Sequence, residues 1–129
     1  MTNLTILGAG AMASAISIPL AKNGHAVNIW GTEFDKSIIG ALKADQPHPT
    51  LKATIKANFF YENELEAALK DSEIVVFAVI SSGLRSTARK AKPFLANQII
   101  VNVAKGFDAG QTMIKVLDES LPEAVKACV

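Results

Sequence analysis

Leu4-Thr5-Ile6-Leu7-Gly8-Ala9-Gly10-Ala11-Met12-Ala13 is the stretch that decides how this chain folds. A short run of strand character leads directly into Gly-x-Gly-x-x-Ala, and from Ala11 to Asn23 the pattern turns helical. Gly8 permits a tight turn, Gly10 leaves the backbone around Ala9 open to a diphosphate, and Ala13 lets the helix lie close on the sheet. The N–H groups that open the helix, at Ala11, Met12 and Ala13, then form an anion cradle at the positive end of its dipole. A turn of this kind can equally be a plain strand–helix connection. The sequence around it has to decide.

Working outward, Gly24 is a left-handed cap for the first helix, and Pro19 inside it predicts a kink or a loosened turn. Ala26 to Trp30 reads as a second strand, and Asp35 as the cap of a helix running to about Ala44. Pro47-His48-Pro49 opens a loop, Asn58-Phe59-Phe60 is a weak third strand, and Asn63 caps a short helix from Glu64 to Lys70. Ile74 to Val79 is apolar at every position, the pattern of a central strand covered on both faces. A helix from Ser82 to about Leu95, a buried strand Ile99 to Val103 and a helix from Thr112 to Ser120 follow, with Pro122 beyond. Ala127-Cys128-Val129 reads as the start of a strand cut short. Strands alternating with helices predict an α/β, doubly wound parallel sheet, with residues 1–129 as one dinucleotide-binding domain.

Composition narrows the function. The chain has 129 residues, a formal charge of +1 and 19% charged residues, so no broad basic field for nucleic acid exists. An anionic ligand has to be held by local geometry. Cys128 is the single cysteine, which excludes an internal disulfide and a Cys-rich metal site. His25 and His48 lack a surrounding carboxylate or cysteine cluster, so no metal is expected. No apolar run approaches the roughly 20 residues of a membrane helix, and without a signal peptide the expected location is cytoplasmic.

Glu33 follows the second strand, 25 residues after Gly8, where a carboxylate can accept hydrogen bonds from the adenine ribose. It repels a 2′-phosphate, and no arginine lies between Trp30 and Lys36, which favours NAD; Lys36 keeps NADP open. Lys105-Gly106 comes just after the strand ending at Val103, on the side where open α/β sheets bind ligands. An ammonium there can hold a phosphate or polarise a carbonyl, although position alone favours a surface lysine before a turn glycine. Ser81-Ser82-Gly83 follows the other central strand, either lining the cofactor channel or capping a helix. His25 reads as structural, and His48 as a packing or solvent-exposed loop residue. Arg85, Arg89, Lys90 and Lys92 read as one solvated basic face, with phosphate steering as a secondary role.

Several segments together resemble one family. Ile6 to Ala13, Asn23-Gly24-His25-Ala26-Val27-Asn28-Ile29-Trp30-Gly31, Leu65-Glu66-Ala67-Ala68-Leu69 with the Ile74 to Val79 strand, and Val103-Ala104-Lys105-Gly106-Phe107-Asp108 are similar to the N-terminal domain of the NAD(P)-dependent glycerol-3-phosphate dehydrogenases. The resemblance implies hydride transfer between NAD(P)H and dihydroxyacetone phosphate, giving sn-glycerol 3-phosphate. It implies Ala11, Met12 and Thr32 at the cofactor and Lys105 at both cofactor and substrate, and so overrides the surface reading of Lys105. It also implies a helical C-terminal domain carrying the main catalytic lysine and the substrate-phosphate contacts, with a homodimer open to the full-length form. The 129-residue chain is then expected to bind cofactor without turning over substrate. Met12 and Ala13 stand where the family has an aromatic-Gly pair, Ile80 replaces a proline, and the Leu-Pro-rich stretch is reduced to His48-Pro49-Thr50-Leu51. These departures leave two alternatives in play: a ketopantoate-reductase-like or other two-domain reductase, and a non-catalytic nucleotide-sensing module.

Overall fold

A computed structural model describes residues 1–121 and the backbone of strand 125–128. The strands are β1 (Asn3–Leu7), β2 (Ala26–Trp30), β3 (Asn58–Phe60), β4 (Ile74–Phe77), β5 (Ile99–Asn102), a hairpin of β6 (Phe107–Asp108) and β7 (Gln111–Thr112), and β8 (Val125–Cys128). The helices are α1 (Ala11–Lys22), α2 (Lys36–Lys43), α3 (Leu65–Leu69), α4 (Ser81–Ala91) and α5 (Met113–Ser120). Six strands form a parallel sheet in the order β3-β2-β1-β4-β5-β8. This is the doubly wound sheet read from the sequence. Ala127 and Cys128 belong to its last strand, whereas Pro122 and Val129 lie outside the described residues.

Alternation along the strands splits the core into two layers. Leu7, Trp30, Val75, Phe77 and Ile100 point to the face covered by α3, α4 and α5. Ile6, Val27, Ile29 and Val76 point to the face covered by α1 and α2. Each of these side chains contributes about 1.5–3 kcal/mol by leaving water, so a register slip of one residue in β1 or β4 would forfeit several such terms. After β1 the chain passes to β2 on one side; after β3 it crosses to β4 on the other. The crevice between β1 and β4 is therefore the topological switch point, where open α/β sheets bind ligands.

Helix ends show where local chemistry agreed with the sequence and where it did not. Gly24, at φ +85°, closes α1: its N–H reaches the Ala21 carbonyl at 3.0 Å and the His25 N–H reaches Leu20 at 3.2 Å. Pro19 does not end α1, which continues to Lys22, since one missing donor is a local loss. Asp35 precedes α2 but does not cap it; its carboxylate turns back to the Thr32 N–H and hydroxyl, at 2.9 and 3.0 Å. Asn63 does not cap α3 either. It sits within a 3₁₀ turn, Glu62–Glu64, where the Glu64 carboxylate accepts from the Tyr61 N–H at 2.8 Å. β4 ends at Phe77 instead of Val79, because Ala78 and Val79 pass beneath the glycine turn. The β6–β7 hairpin, too short for any periodic signal, was not foreseen.

Candidate cofactor site

Gly8 lies hard against the backbone that follows β4. Its φ is +124°, and a Cβ there would stand 2.5 Å from the Ala78 carbonyl oxygen. Both the conformation and the space require glycine. Gly10 differs: a Cβ would meet nothing within 4 Å, so the missing side chain leaves open room in front of α1. No side chain caps α1, and no acidic residue occupies its first turn, so its leading N–H groups and the positive end of its dipole face that room. Ala13 is fully buried against the sheet, as the close-packing reading required. Met12 is about half exposed.

His48 holds this turn from behind. It is fully buried, its Nδ1 accepts from the backbone N–H groups of Thr50 and Leu51 at 3.1 and 3.3 Å, and Nε2 lies 2.9 Å from the Ala9 carbonyl. With Nδ1 acting as acceptor, Nε2–H is the donor to Ala9. His48 is therefore neither a solvent-exposed loop residue nor mere packing; it pins the long loop after α2 to the glycine turn. Flanking prolines gave no sign of this contact, which spans 39 residues of sequence. His25 accepts from the Thr2 N–H at 3.1 Å near the start of the chain, a structural role as read.

In front of the turn lies a cleft of about 410 Å³ between the Thr32–Asp35 loop and α4. Gly8, Ala9, Gly10, Thr32 and Glu33 line it, and so do Ser82 and Gly83 of the channel-lining reading. Phe34 and Ile80, 82% and 73% exposed, stand at its mouth, and Ser82, Thr87 and Lys90 come from α4. Phe34 and Lys90 were not singled out from the sequence as cleft residues. Glu33 pairs with Lys90 across the cleft at 3.1 Å, and Lys90 also reaches Glu62 at 3.4 Å. The Glu33 carboxyl is held below the usual carboxylate range by a backbone hydrogen bond and by Lys90. The Lys90 ammonium is raised, chiefly by its bond to Glu33. A wider hollow of about 850 Å³ lies between α3 and residues 93–98, at the amino ends of β4 and β5. It has no glycine turn and is on the wrong edge of the sheet for a ligand of this fold.

The basic residues of α4, and Lys92 just after it, do not share one face. Arg89 and Lys92 are exposed, Lys90 turns into the cleft, and Arg85 turns toward the β6–β7 hairpin. Arg85 binds Asp108 at 3.2 Å, Glu119 at 3.3 Å and Gln111 at 2.9 Å. Ser81 and Ser82 are the first residues of α4 and not its cap, which is Ile80. Ser82 lines the cleft, while Ser81 lies 3.7 Å from where a Gly106 Cβ would be.

Lys105 is exposed beyond the carboxyl end of β5 and does not line the 410 Å³ cleft. Its turn is held by Asn102, a nearly fully buried side chain that accepts from the Ala104 N–H at 3.0 Å and donates to the Ala104 carbonyl at 3.1 Å. Gly106, at φ +103°, then bends the chain past Ser81 into the hairpin. Ala11, Met12, Ala13 and Lys105, all named from the sequence, do not line this cleft. Among the described residues no group of three or more His, Cys, Asp or Glu is placed to hold a metal, and no helix is long and apolar enough to cross a membrane.

Residues 3–129 match a family model described as the NAD-dependent glycerol-3-phosphate dehydrogenase N-terminus. An NADP(+)-dependent glycerol-3-phosphate dehydrogenase of Archaeoglobus fulgidus is 39% identical over 95% of this chain and 36% of its own length. A glycerol-3-phosphate dehydrogenase [NAD(P)+] of Fusobacterium nucleatum is 35% identical over 95% of this chain and 38% of its own. The chain thus spans somewhat over a third of these relatives. A crystal structure of glycerol-3-phosphate dehydrogenase from Coxiella burnetii superposes with a TM-score of 0.86 at 21% identity, covering 98% of this chain and 40% of that one. A ketopantoate reductase from Ralstonia eutropha reaches 0.78 at 23% identity over the same shares, so likeness of fold is common to both enzyme classes. Sequence separates what the fold shares, and the chain belongs to the NAD-dependent glycerol-3-phosphate dehydrogenase family, whose N-terminal part it matches.

Proposed function

We propose that residues 1–129 form the dinucleotide-binding domain of an NAD(P)-dependent glycerol-3-phosphate dehydrogenase. The observation that carries this reading is the Gly8–Gly10 turn, packed against Ala78 on one side and open before an uncapped helix on the other. The diphosphate lies on the α1 N-terminus, held by N–H groups of the turn and of Ala11 and Met12. The adenine ribose meets Thr32 and Glu33, and the exposed ring of Phe34 offers a flat face to the adenine. When bound, the nicotinamide supplies the hydride that reduces the carbonyl of dihydroxyacetone phosphate.

Lys105 is our candidate for the contact with both cofactor and substrate. It stands beyond the carboxyl end of β5, where an ammonium polarises a carbonyl or neutralises a phosphate without having to cross the cleft. Asn102 fixes the turn from which it projects. The remaining substrate groups and the main catalytic lysine come from the length of the relatives that this chain does not span, as does any homodimer contact. The surroundings of Glu33 favour NAD, whereas the relatives include an NADP(+)-dependent enzyme, and we assign both cofactors to the cleft. A cytoplasmic location belongs to the same reading.

Calorimetric titration of the 129-residue chain with NADH tests the binding claim. Saturable heat in the micromolar to low millimolar range is expected, and none at millimolar cofactor would sink it. The reaction itself is tested in the complete protein with dihydroxyacetone phosphate and each reduced cofactor. Ketopantoate reduction without dihydroxyacetone phosphate reduction would transfer the domain to the rival reductase class.

A further inference from the structure

A carboxylate at the adenine ribose is the ordinary device for refusing a 2′-phosphate. In this cleft that carboxylate is already engaged. Lys90 reaches Glu33 from the opposite wall at 3.1 Å, with Glu62 as a second acceptor at 3.4 Å, so two carboxylates share one ammonium. Among the described residues that line the cleft, Lys90 is the single lysine or arginine. Lys36, the other nearby cation, borders an adjoining hollow with Thr32, Glu33, Ile39, Tyr61, Glu62 and Asn63.

We propose that Lys90 reads the 2′-phosphate and makes this a dual-cofactor cleft, with Glu33 as the displaceable stand-in for that phosphate. The inference rests on the dinucleotide reading above. With NADH, the Lys90–Glu33 pair stays closed, and a carboxylate with about four acceptor positions still has room for the ribose hydroxyls. With NADPH, the phosphate takes the place of Glu33 on the ammonium. The exchange costs little because the Glu33 and Lys90 side chains are 51% and 38% exposed, and ion pairs that exposed are weak. A phosphate brings more charge and three oxygens to the same donor, which favours the exchanged state. Glu62 remains as an anchor that keeps Lys90 extended into the cleft.

The test is a calorimetric titration of the 129-residue chain with NADH and with NADPH, reading the ratio of the two dissociation constants. Lys90→Ala raises the NADPH/NADH ratio about tenfold, equivalent to one charge-assisted contact, and Lys36→Ala moves it less than about twofold. Glu33→Ala lowers the ratio, and adding Lys90→Ala to it removes that gain, because the released ammonium is its source. Lys90→Gln, which keeps the length of the stem, should behave as Lys90→Ala; thermal melting of each variant checks that the fold is retained. Wild type binding neither cofactor overturns the dinucleotide reading and this proposal with it. Wild type binding NADH but not NADPH, an unchanged ratio in folded Lys90→Ala and Lys90→Gln, or a tenfold rise in Lys36→Ala overturns this proposal and leaves the dinucleotide reading standing.

Discussion

Two turns flank β4 at the carboxyl edge of the sheet, and they are built on opposite principles. The Gly8–Gly10 turn after β1 gets its shape from what is missing: no Cβ at Gly8 against Ala78 and none at Gly10 in front of α1. The Ala104–Gly106 turn after β5 gets its shape from what is present: the buried amide of Asn102, clamping both polar atoms of Ala104. Behind each stands a longer-range brace, His48 on the Ala9 carbonyl for the first and Arg85 on the β6–β7 hairpin for the second. A turn shaped by absent atoms fails by steric collision, and one shaped by hydrogen bonds fails by loosening. The two failures differ in size and in reach.

The largest effect is expected at Gly8. Gly8→Ala forces a Cβ to 2.5 Å from a carbonyl oxygen at a φ that L-residues avoid. Strain at the dihedral and overpacking each cost about 1–3 kcal/mol, so the variant should lose roughly 2–6 kcal/mol against chemical denaturation. A domain of ordinary stability has about 5–15 kcal/mol to lose. NADH binding should disappear even where the variant stays folded. Near-wild-type stability with retained binding would mean that the turn relaxes freely and is not the rigid half of the comparison.

That asymmetry also explains what could be read from the sequence. Gly8, Gly10 and Ala13 are legible because small size at fixed spacing is itself the signal, and β4 is legible because burial on both faces writes an unbroken apolar run. Lys105 could be placed at the right edge of the sheet but not given a support, because Asn102 looks like any polar residue at a strand end. His48 and Lys90 were misplaced for a related reason. Their partners, Ala9 and Glu33, lie 39 and 57 residues away, and no local period records a contact of that separation. Asp35 and Asn63 were legible as cap-type residues, yet tertiary demands of the Thr32 loop and the Glu62–Glu64 turn used their neighbourhoods otherwise. Topology, the glycine turn and the Thr32–Glu33 wall of the cleft came through; the partners that arrive from distant elements did not.

A smaller and more local loss is expected at the second turn. Asn102→Ala leaves the Ala104 N–H and carbonyl without their side-chain partners, at a cost of about 1–3 kcal/mol. Hydrogen exchange should quicken at Ala104 to Gly106 while the Gly8–Gly10 turn keeps its protection. Lys105→Ala is the control, since an exposed side chain there should change stability by less than about 0.5 kcal/mol. On the function proposed above, both variants should slow dihydroxyacetone phosphate reduction by the complete protein, the first by displacing the ammonium and the second by deleting it. If exchange quickens equally at both turns in Asn102→Ala, the two are one cooperative unit and the contrast between them is lost.

The smallest expected effect sharpens the role of the brace. Arg85 joins α4 to Asp108 in the hairpin and to Glu119 in α5, and its guanidinium is raised chiefly by Asp108. The Glu119 carboxyl is lowered from the ordinary 4.5, first by Gln111 and then by Arg85. A carboxyl lowered by folding stabilises the native state fully above its unfolded value, and that contribution fades as pH falls through the lowered folded one. Glu119→Gln should therefore melt slightly below wild type at neutral pH, and the gap should close on acidification below 4.5. Added salt should narrow the neutral-pH gap, since the pair is solvent-facing. A gap that persists unchanged in acid would assign the loss to a poorer fit of the amide beside Gln111 and not to the carboxylate charge. The ionic part of the hairpin's brace would then rest on the Arg85–Asp108 pair, with Glu119 contributing through its hydrogen bonding.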